Sequence, residues 1–298
     1  MTHAPHQHGH QHGQQHGHPQ GHPQGHPQDD ADDQTEILDL DAEVLAEHIA
    51  SITAWLPVKA APRHIVDLGS GTGAGTLALL NRFPDAEVTA VDTSAAHLDR
   101  LLEKAESASL ADRVRTVRAD LDTDWPDLGT PDLVWASASL HHMADPDRTL
   151  RQVHDTLAPG GLFAVVELAG FPRFLPADAP ADRPGLEERC HAAIDRHHTE
   201  HLPHRGADWG PKLTAAGFTV EGERTVTVNI APPHTEAVGR YALAGLRRMR
   251  GGVAEFLTAE DLAALDQLLD TESPRGILRR DDLTVRTERT VWAARSPA

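Results

Sequence analysis

The stretch that decides the fold is Ile65-Val66-Asp67-Leu68-Gly69-Ser70-Gly71-Thr72-Gly73. Its apolar start, Ile65–Leu68, predicts a short buried strand. The three glycines then turn the chain into a predicted helix over Thr76–Phe83, because glycine adopts positive φ and lets a ligand approach the backbone closely. Free N–H groups at the start of that helix can bind polar ligand atoms. The stretch therefore predicts a ligand site at a strand end; a tight turn without a ligand is the alternative.

Strands and helices alternate along the chain around this turn. The predicted strands after Leu68 are Glu87–Val91, Arg113–Val117, Leu133–Ala136 and Leu162–Leu168. The predicted helices are one from about Asp41 to Pro57, one over Ala95–Ala108, and one from Asp145-Pro146 to Pro159-Gly160-Gly161. Such alternation is typical of a parallel sheet with helices on both faces. The sequence thus predicts an α/β, Rossmann-like fold with a mostly parallel sheet.

The alternation changes after residue 170. The predicted elements there are a Pro-rich loop over Phe171–Asp182, helices over Leu186–His201 and Lys212–Ala216, strand segments at Val220 and Thr225–Ile230, helices within residues 234–272, and a final strand over Val285–Ala293. We expect residues 36–298 to form one domain with its core at residues 63–168. Residues 170–210 and 234–272 are expected to be helical insertions that form a lid over the substrate.

Residues 1–35 are predicted to be a disordered tail that ends in an acidic linker, Asp29–Asp33. Residues 1–28 contain nine histidines among Gly, Gln and Pro, and apolar side chains that could form a core are almost absent. Neutral imidazoles could loosely chelate a divalent metal such as Ni²⁺, Cu²⁺ or Zn²⁺. A leader without a task and a purification tag are the alternatives, although the interrupted repeat favours a native tail.

Charge and cysteine content restrict the function classes. The chain has 298 residues and a formal net charge of −18 at pH 7, from 27 Lys+Arg and 45 Asp+Glu. Such an acidic protein repels phosphate backbones, which disfavours a nucleic-acid partner. The single cysteine, Cys190, excludes an internal disulfide and favours a reducing compartment. Since no signal-peptide core or membrane span is apparent, a cytoplasmic protein without a membrane partner is expected.

Two acidic residues follow neighbouring predicted strands. Asp92 ends the strand Val88–Val91, 23 residues after Gly69, where a carboxylate can accept both hydroxyls of an adenosine ribose. A solvated strand-end aspartate is the alternative. Asp120 follows the next strand, and its carboxylate could accept from an adenine amino group. Its assignment is less specific, because Asp122, Asp124 and Asp127 crowd the same turn.

Residues 63–168 resemble the class I S-adenosylmethionine-dependent methyltransferases. The resemblance is carried by Val66–Gly73, Val91-Asp92, Ala119-Asp120, Asp132–Ser137 with Leu140-His141-His142, and Leu157–Leu162. These motifs in this order are far more specific than any one of them. The paired histidines after the fourth strand look like the branch that methylates small molecules, including the quinone-ring and trans-aconitate types.

The resemblance implies S-adenosyl-L-methionine as the cofactor and assigns roles to residues that match the family motifs. Gly69, Ser70, Gly71 and Gly73 would hold its methionine part, with Asp67 near the amino group. Asp92, with Thr93 beside it, would take the ribose hydroxyls, and Asp120 with Leu121 would flank the adenine. Ser137 would line the floor beneath the sulfonium.

His141 and His142 are the candidate catalytic residues. Methyl transfer mainly needs alignment of the nucleophile and exclusion of water, and a base is needed only if the acceptor must lose a proton. An imidazole titrates near neutrality and suits that task. A structural role for both histidines is the alternative.

The helix over Leu186–His201 carries a possible metal-binding face. Cys190, His197 and His201 share this face, and a His-x-x-x-His pair can chelate Zn²⁺. An ordinary amphipathic helix or a substrate-facing lid is the alternative, and no metal site is assigned. Four aromatic residues would add apolar lining to a substrate pocket: Phe171, Phe174, Trp209 and Tyr241.

Three functions are compatible with these patterns. The first is in-line methyl transfer from S-adenosylmethionine to a small-molecule acceptor. The second is a nicotinamide-dependent oxidoreductase, whose common short-chain form is excluded because it needs Tyr-x-x-x-Lys, whereas Tyr241 is followed by Gly245 at that spacing. The third is a non-catalytic protein that buffers metal or senses the cofactor.

Overall fold

The computed structural model describes the backbone of residues 27–201 and 204–298, and the side chains of residues 33–196 and 204–298. Its strands are β1 (His64–Leu68), β2 (Glu87–Asp92), β3 (Val114–Arg118), β4 (Leu133–Ser137), β5 (Leu162–Leu168), β6 (Thr219–Ile230) and β7 (Val285–Arg295). Within the described residues they form one sheet in the order β3-β2-β1-β4-β5-β7-β6. Strands β1 to β5 pair in parallel and β7 is antiparallel to both neighbours, which confirms the mostly parallel sheet.

Helices connect most of these strands. They are α1 (Pro27–Val44), α2 (Ala46–Trp55), α3 (Ala74–Arg82), α4 (Ala95–Ser107), α5 (Pro146–Thr156), α6 (Leu186–His201), α7 (Trp209–Ala215), α8 (Glu236–Val253) and α9 (Ala259–Leu269). Short 3₁₀ turns lie at Ala111–Arg113, Leu140–His142 and Ile277–Arg279. The predicted start of α5 is confirmed, because the Asp145 side chain accepts the Arg148 N–H and Pro146 occupies the first turn.

The sheet is buried on both faces, which explains why its central strands are apolar almost throughout. On one face, side chains of α2 and α3 pack against the strands, as Ile52 and Leu79 do with Ile65. On the other face, α5 and α7 supply the cover, as Val153 and Leu213 do with their neighbours. The predicted arrangement of helices on both faces is therefore confirmed.

A further apolar core joins α1 to the helices that follow β5 and β6. We call α6, α8 and α9 the lid. The buried members of this core include Leu40, Phe174, Leu186, Cys190, Tyr241, Leu246 and Leu265. The buried carboxylate of Asp261 fixes α9 to the segment before and within α6, since it accepts from Arg183 at 2.9 Å and Arg189 at 2.8 Å.

The start of the domain differs from the prediction. Helix α1 begins at Pro27, so Asp29–Asp33 is helical and not a linker. The helix expected from Asp41 is two helices that break at Leu45. The signal was present in the sequence, because Ile37, Leu40 and Val44 recur at helical spacing and pack against the lid core. The predicted disorder of residues 1–26 lies outside the described residues.

Other predicted elements are confirmed with shifts of a few residues at their ends. The largest difference is β6, a continuous strand with a bulge between Val220 and Gly222 where two shorter pieces were expected. None of the helices in the described ranges has the length and apolar composition needed to cross a membrane.

Candidate active site

The glycine turn lies between the end of β1 and the start of α3. Gly69, Gly71 and Gly73 all have positive φ, at +68°, +52° and +87°. A Cβ at Gly69 would lie 2.5 Å from Ser139 Cβ, and one at Gly73 would lie 2.1 Å from Leu101 Cδ1. Both positions therefore require glycine for backbone conformation and for close packing.

Asp92, at the end of β2, lies directly against this turn. Its Oδ2 accepts the Gly71 N–H at 2.8 Å, its Oδ1 accepts the Ser94 N–H at 2.9 Å, and His97 Nδ1 lies 3.3 Å from Oδ1. Burial alone would raise the pKa of Asp92, but His97 and the two N–H donors outweigh it and hold the pKa below its usual value. An ionised carboxylate is thus fixed beside the glycine turn.

Asp67 lies beneath the same turn, with 2% of its surface exposed. The Thr76 hydroxyl on α3 donates to its Oδ2 at 2.6 Å. Burial raises the pKa of Asp67 to about 7, and the nearby charge of Asp92 adds to that rise, while the Thr76 hydrogen bond opposes it. Two carboxylates with opposite pKa shifts therefore lie at adjacent strand ends.

Ser70 provides an unsatisfied polar atom in the turn. Its Oγ is enclosed and has no hydrogen-bond partner among the described residues. An enclosed hydroxyl without a partner costs about 1–3 kcal/mol, and a polar ligand would remove that cost. The sheet order places β1 between β2 and β4, and ligands of such sheets bind at the carboxyl ends of strands where the order reverses.

The residues predicted to flank an adenine lie at the next strand end. Asp120 is exposed, and its Oδ1 accepts the Asp122 N–H of its own turn at 3.0 Å, whereas Leu121 is buried. The Ala119 N–H donates to the Asp92 carbonyl at 3.1 Å, which keeps this turn beside β2. Thr93 is exposed between the two strand ends.

The exit of β4 completes the rim of the crevice. Ser137 is half-buried at the end of the strand, and Ala138 has a φ of +52°. Ser139 was not predicted as a site residue; its hydroxyl donates to the Leu68 carbonyl at 2.8 Å and its Cβ packs on Gly69. These contacts join the β4 exit to the glycine turn.

The paired histidines occupy different environments. His141 is buried, and its Nδ1 lies 2.6 Å from Glu167 Oε2, while His142 is exposed with its ring centroid 4.1 Å from that of His141. Glu167 is itself buried, and its Oε1 accepts the N–H groups of Leu140 at 3.0 Å and His141 at 3.3 Å. Sequence reasoning missed Glu167, although it is the only charged residue in the apolar strand β5.

Helix α1 covers the glycine turn, which the sequence did not predict. Leu38 Cδ1 lies 3.3 Å from the position that a Cβ of Gly71 would occupy. Asp39 accepts from Arg100 at 2.7 Å and from Lys104 at 2.9 Å, both on α4, and Lys104 also donates to Thr72 in the turn. Helix α1 therefore packs over the glycine turn and is fixed there by its ion pairs with α4.

Comparison with known proteins agrees with this geometry. Residues 66–163 match the family model described as a methyltransferase domain. This segment of the chain is therefore similar to methyltransferase domains. The match spans the glycine turn, Asp92 and the paired histidines, and it excludes α1, Glu167 and the lid.

Relatives of this methyltransferase domain act on different molecules. Trans-aconitate 2-methyltransferase of Paracidovorax citrulli is 39% identical over 38% of this chain and 42% of its own length. A 27-O-demethylrifamycin SV methyltransferase of Amycolatopsis mediterranei is 29% identical over 72% of this chain and 74% of its own. The chain thus spans about two fifths of the length of the trans-aconitate relatives that it matches.

A solved structure from Bacillus halodurans C-125, described as a methyltransferase candidate, has the same fold. It aligns with 84% of this chain and 99% of its own chain at a TM-score of 0.54 and 17% identity. This similarity concerns the fold alone and includes the region outside the matched methyltransferase domain.

The predicted pocket lining is wrong at Trp209, which is fully buried in the core between α7 and the sheet. Phe171 is half-buried with the Arg205 guanidinium 3.6 Å from its ring centroid, and Phe174 packs on Tyr241 in the lid core. Of the four aromatic residues, Phe171 alone is partly exposed, and it packs against the lid core.

The suggested metal-binding face of α6 receives no support. Burial raises the pKa of the Cys190 thiol to about 11, and its side chain lies in the lid core. The side chains of His197 and His201 lie outside the described residues. Where side chains are described, no three potential ligands are grouped so that they could hold a metal ion.

Proposed function

We propose that this chain is an S-adenosylmethionine-dependent methyltransferase that acts on a small-molecule acceptor. The observation that carries the proposal is the ionised Asp92 carboxylate, held against Gly71 in a turn of three positive-φ glycines. A carboxylate at the end of the second strand beside a side-chain-free turn is suited to bind an adenosine ribose. The match to the methyltransferase family over residues 66–163 supports the same reading.

The residues of the crevice fit the cofactor, S-adenosylmethionine. Its sulfonium and amino groups are cationic, and Asp67 and Asp92 supply carboxylates, while Ser70 supplies an enclosed hydroxyl without a partner in the described part of the chain. Gly69, Ser70, Gly71 and Gly73 would hold the methionine part, with Asp67 near the amino group. When bound, the cofactor supplies a methyl group that is already activated by the sulfonium.

The other predicted contacts are retained in the proposal. Asp92 and Thr93 would contact the ribose, Asp120 and Leu121 would flank the adenine, and Ser137 would lie beneath the sulfonium. Asp120 is exposed and already accepts from its own turn, so its carboxylate is the least constrained of these contacts. Variants at Asp92 and Asp120 should therefore differ strongly in cofactor affinity.

The chain's own contribution to catalysis is alignment of the acceptor and exclusion of water. Helix α1 closes the crevice from one side through Leu38 and the ion pairs of Asp39. Residues 170–210 and 234–272, which contain the lid, would provide the acceptor pocket. This region lies outside the family match, and the names of the relatives give different acceptors.

The acceptor is proposed to be a small molecule and not a nucleic acid or a membrane. The names of the relatives include trans-aconitate, a demethylrifamycin and malonyl-[acyl-carrier protein]. The net charge of −18 opposes binding to phosphate backbones. We also propose that the enzyme works in the cytoplasm and that its His-rich tail binds divalent metal loosely; cell fractionation and Ni²⁺ titration of the full chain test these two points.

Calorimetry of the full chain with S-adenosylmethionine, NAD and Ni²⁺ tests the cofactor assignment and separates the three candidate functions. We expect S-adenosylmethionine to bind and NAD not to bind. Tight binding of NAD with none of S-adenosylmethionine would instead favour the oxidoreductase, and binding of Ni²⁺ alone would favour a metal-buffering protein. The acceptor is then sought with methyl-labelled cofactor in cell extract, by mass spectrometry for products that gain one methyl group.

A further inference from the structure

A short buried polar contact joins the 3₁₀ turn after β4 to the end of β5. His141 Nδ1 and Glu167 Oε2 are 2.6 Å apart, and 5% of His141 and 3% of Glu167 is exposed. A buried carboxylate near the end of an apolar strand is costly unless it is hydrogen-bonded. Here Glu167 is fully engaged, because its other oxygen accepts the N–H groups of Leu140 and His141.

These contacts determine which nitrogen of His141 carries the proton. An ionised carboxylate only accepts hydrogen bonds, so the Nδ1 that faces Glu167 must donate. In the neutral imidazole the proton then resides on Nδ1, and Nε2 has the free lone pair. A carboxylate that fixes the tautomer and orientation of a histidine in this way is a known requirement for a histidine general base.

His141 lies close in sequence to a residue that contacts the glycine turn. It lies two residues after Ser139, whose side chain touches the Leu68 carbonyl and Gly69 of the cofactor turn. His142, by contrast, is exposed. Burial and the contact with Glu167 therefore distinguish His141 from its neighbour, a distinction that the sequence alone could not make.

We propose that Glu167 is a positioning residue that holds His141 as the general base for a hydroxyl acceptor. This inference rests on the proposed function and narrows its acceptor to an alcohol or phenol. The hydroxyl proton moves to His141 Nε2 while the hydroxyl oxygen forms a bond to the methyl carbon. The carbon–sulfur bond breaks with its electron pair on sulfur, which leaves a neutral thioether, a methyl ether and a protonated His141. A carboxylate acceptor would have no proton to lose and would not need this pair.

The substitution Glu167→Gln provides a sharp test because it should invert the tautomer. The N–H groups of Leu140 and His141 require an oxygen at the position of Oε1, so the amide NH₂ of the glutamine would face His141 Nδ1. Nδ1 would then have to accept, and the proton would move to Nε2. Nitrogen-15 NMR of the histidine rings reports this directly, with the His141 signals assigned from a His141→Gln sample.

We expect the proton on Nδ1 in the wild-type chain and on Nε2 in Glu167→Gln, with S-adenosylmethionine affinity unchanged within about twofold in calorimetry, since Glu167 lies outside the cofactor contacts. If the proton of His141 is found on Nε2 in the wild-type chain, this result alone would overturn the inference. If the wild-type chain did not bind S-adenosylmethionine, the proposed function would be wrong, but the tautomer of His141 could still be measured. Failure of the proposed function can therefore be distinguished from failure of this inference.

Activity provides the second readout. General-base catalysis contributes about 10²–10⁴-fold, so with the hydroxyl acceptor found in the labelling experiment Glu167→Gln should lower kcat at least about 100-fold. The KM of the acceptor should change little. The same substitution at an exposed position of the edge strand β6, Glu223→Gln, is the matched control and should retain full activity. An undiminished kcat in Glu167→Gln, or a carboxylate as the methylated group, would overturn the inference.

Discussion

Asp67 and Asp92 are two carboxylates at adjacent strand ends, and their surroundings give them opposite pKa shifts. Asp67 is enclosed and has the Thr76 hydroxyl as its donor, so burial dominates. Asp92 is partly buried, and His97 and two backbone N–H groups stabilise its charge. Burial raises the pKa of a carboxyl group, whereas hydrogen bonds to its charged form lower it. Burial dominates at Asp67, and the hydrogen bonds with the charge of His97 dominate at Asp92. A cationic ligand between them would meet one permanent negative charge and one that depends on pH.

Replacement of Asp92 should weaken cofactor binding strongly. Asp92→Ala removes a carboxylate proposed to accept two ribose hydroxyls, and hydrogen bonds to charged groups contribute about 1.5–3 kcal/mol each. It also releases the Gly71 N–H. We expect at least tenfold weaker binding of S-adenosylmethionine in calorimetry. Asp112→Ala, an exposed aspartate distant from the turn in sequence, is the control; equal affinities of both variants and the wild type would show that the ribose lies elsewhere.

Cofactor binding should release a proton from Asp67. Its pKa of about 7 leaves it about half protonated at neutral pH, and a cationic ligand nearby would lower that pKa. Binding is then linked to deprotonation, so affinity should increase from pH 6 to pH 8. The binding enthalpy should also differ between buffers of different ionisation enthalpy. Asp67→Asn should abolish both effects; a wild-type enthalpy independent of the buffer would mean that the cation binds away from Asp67.

At the level of elements, the sequence predicted best those strands and helices whose own apolar pattern identifies them without knowledge of distant contacts. Strands β1, β2, β4 and β5 were predicted because parallel strands buried on both faces are apolar throughout. Helix α1 was missed because its acidic start resembles a linker, and only contact with the lid makes it part of the domain. Likewise, the partnership of Glu167 with His141 requires β4 and β5 to be adjacent, and adjacency is a property of the sheet order.

Helix α6 contains a histidine that should make stability depend on pH. His191 is 3% exposed, and burial lowers its pKa from 6.5 to about 4, with further lowering by the charges of Arg173, Arg205 and Arg286. Since its folded pKa is depressed, the unfolded chain takes up the proton first between pH 6.5 and 4. The unfolded state therefore binds more protons in this window, and stability decreases as pH falls through it.

The lowering of the His191 pKa from 6.5 to about 4 sets an upper limit on the stability that is lost. About 1.4 kcal/mol for each pKa unit gives at most about 3 kcal/mol of stability lost between pH 6.5 and 4. His191→Gln cannot titrate, so its free energy of unfolding in urea should decrease less over this range than that of the wild type. Parallel curves for the two proteins would show that His191 remains accessible to protons in the folded state.

On the scale of the whole molecule, the described site depends on long-range contacts that join the first helix to the end of the chain. Asp41 on α1 accepts from Arg289 on β7 at 2.7 and 2.6 Å and from the Tyr241 hydroxyl on α8 at 2.6 Å. The Arg289 side chain is 7% exposed. Helix α1, the lid and the last strand therefore share one largely buried ion pair, and all three lie outside the residues 66–163 that the family model matches.

Two truncations should separate the tail from the domain at Pro27, where α1 begins. Deletion of residues 2–26 removes nine of the 21 histidines and leaves all of the described site contacts. We expect this chain to keep its cofactor affinity and its free energy of unfolding and to bind less Ni²⁺. A collapse of cofactor affinity would place the tail in the site.

Deletion of residues 2–44 should have a much larger effect, because it removes α1 and leaves Arg289 buried without Asp41. Loss of one partner of a buried ion pair costs about 3–5 kcal/mol, and Leu40 and Leu38 would no longer cover the lid core and the glycine turn. Urea unfolding should therefore show a loss of at least about 3 kcal/mol relative to the shorter truncation. Asp41→Asn in the full chain removes the negative charge that pairs with Arg289 but keeps the apolar contacts of α1. This variant should therefore lose part of that stability. Equal stability of the two truncated chains would mean that α1 is an appendage, and the domain would then begin at α2.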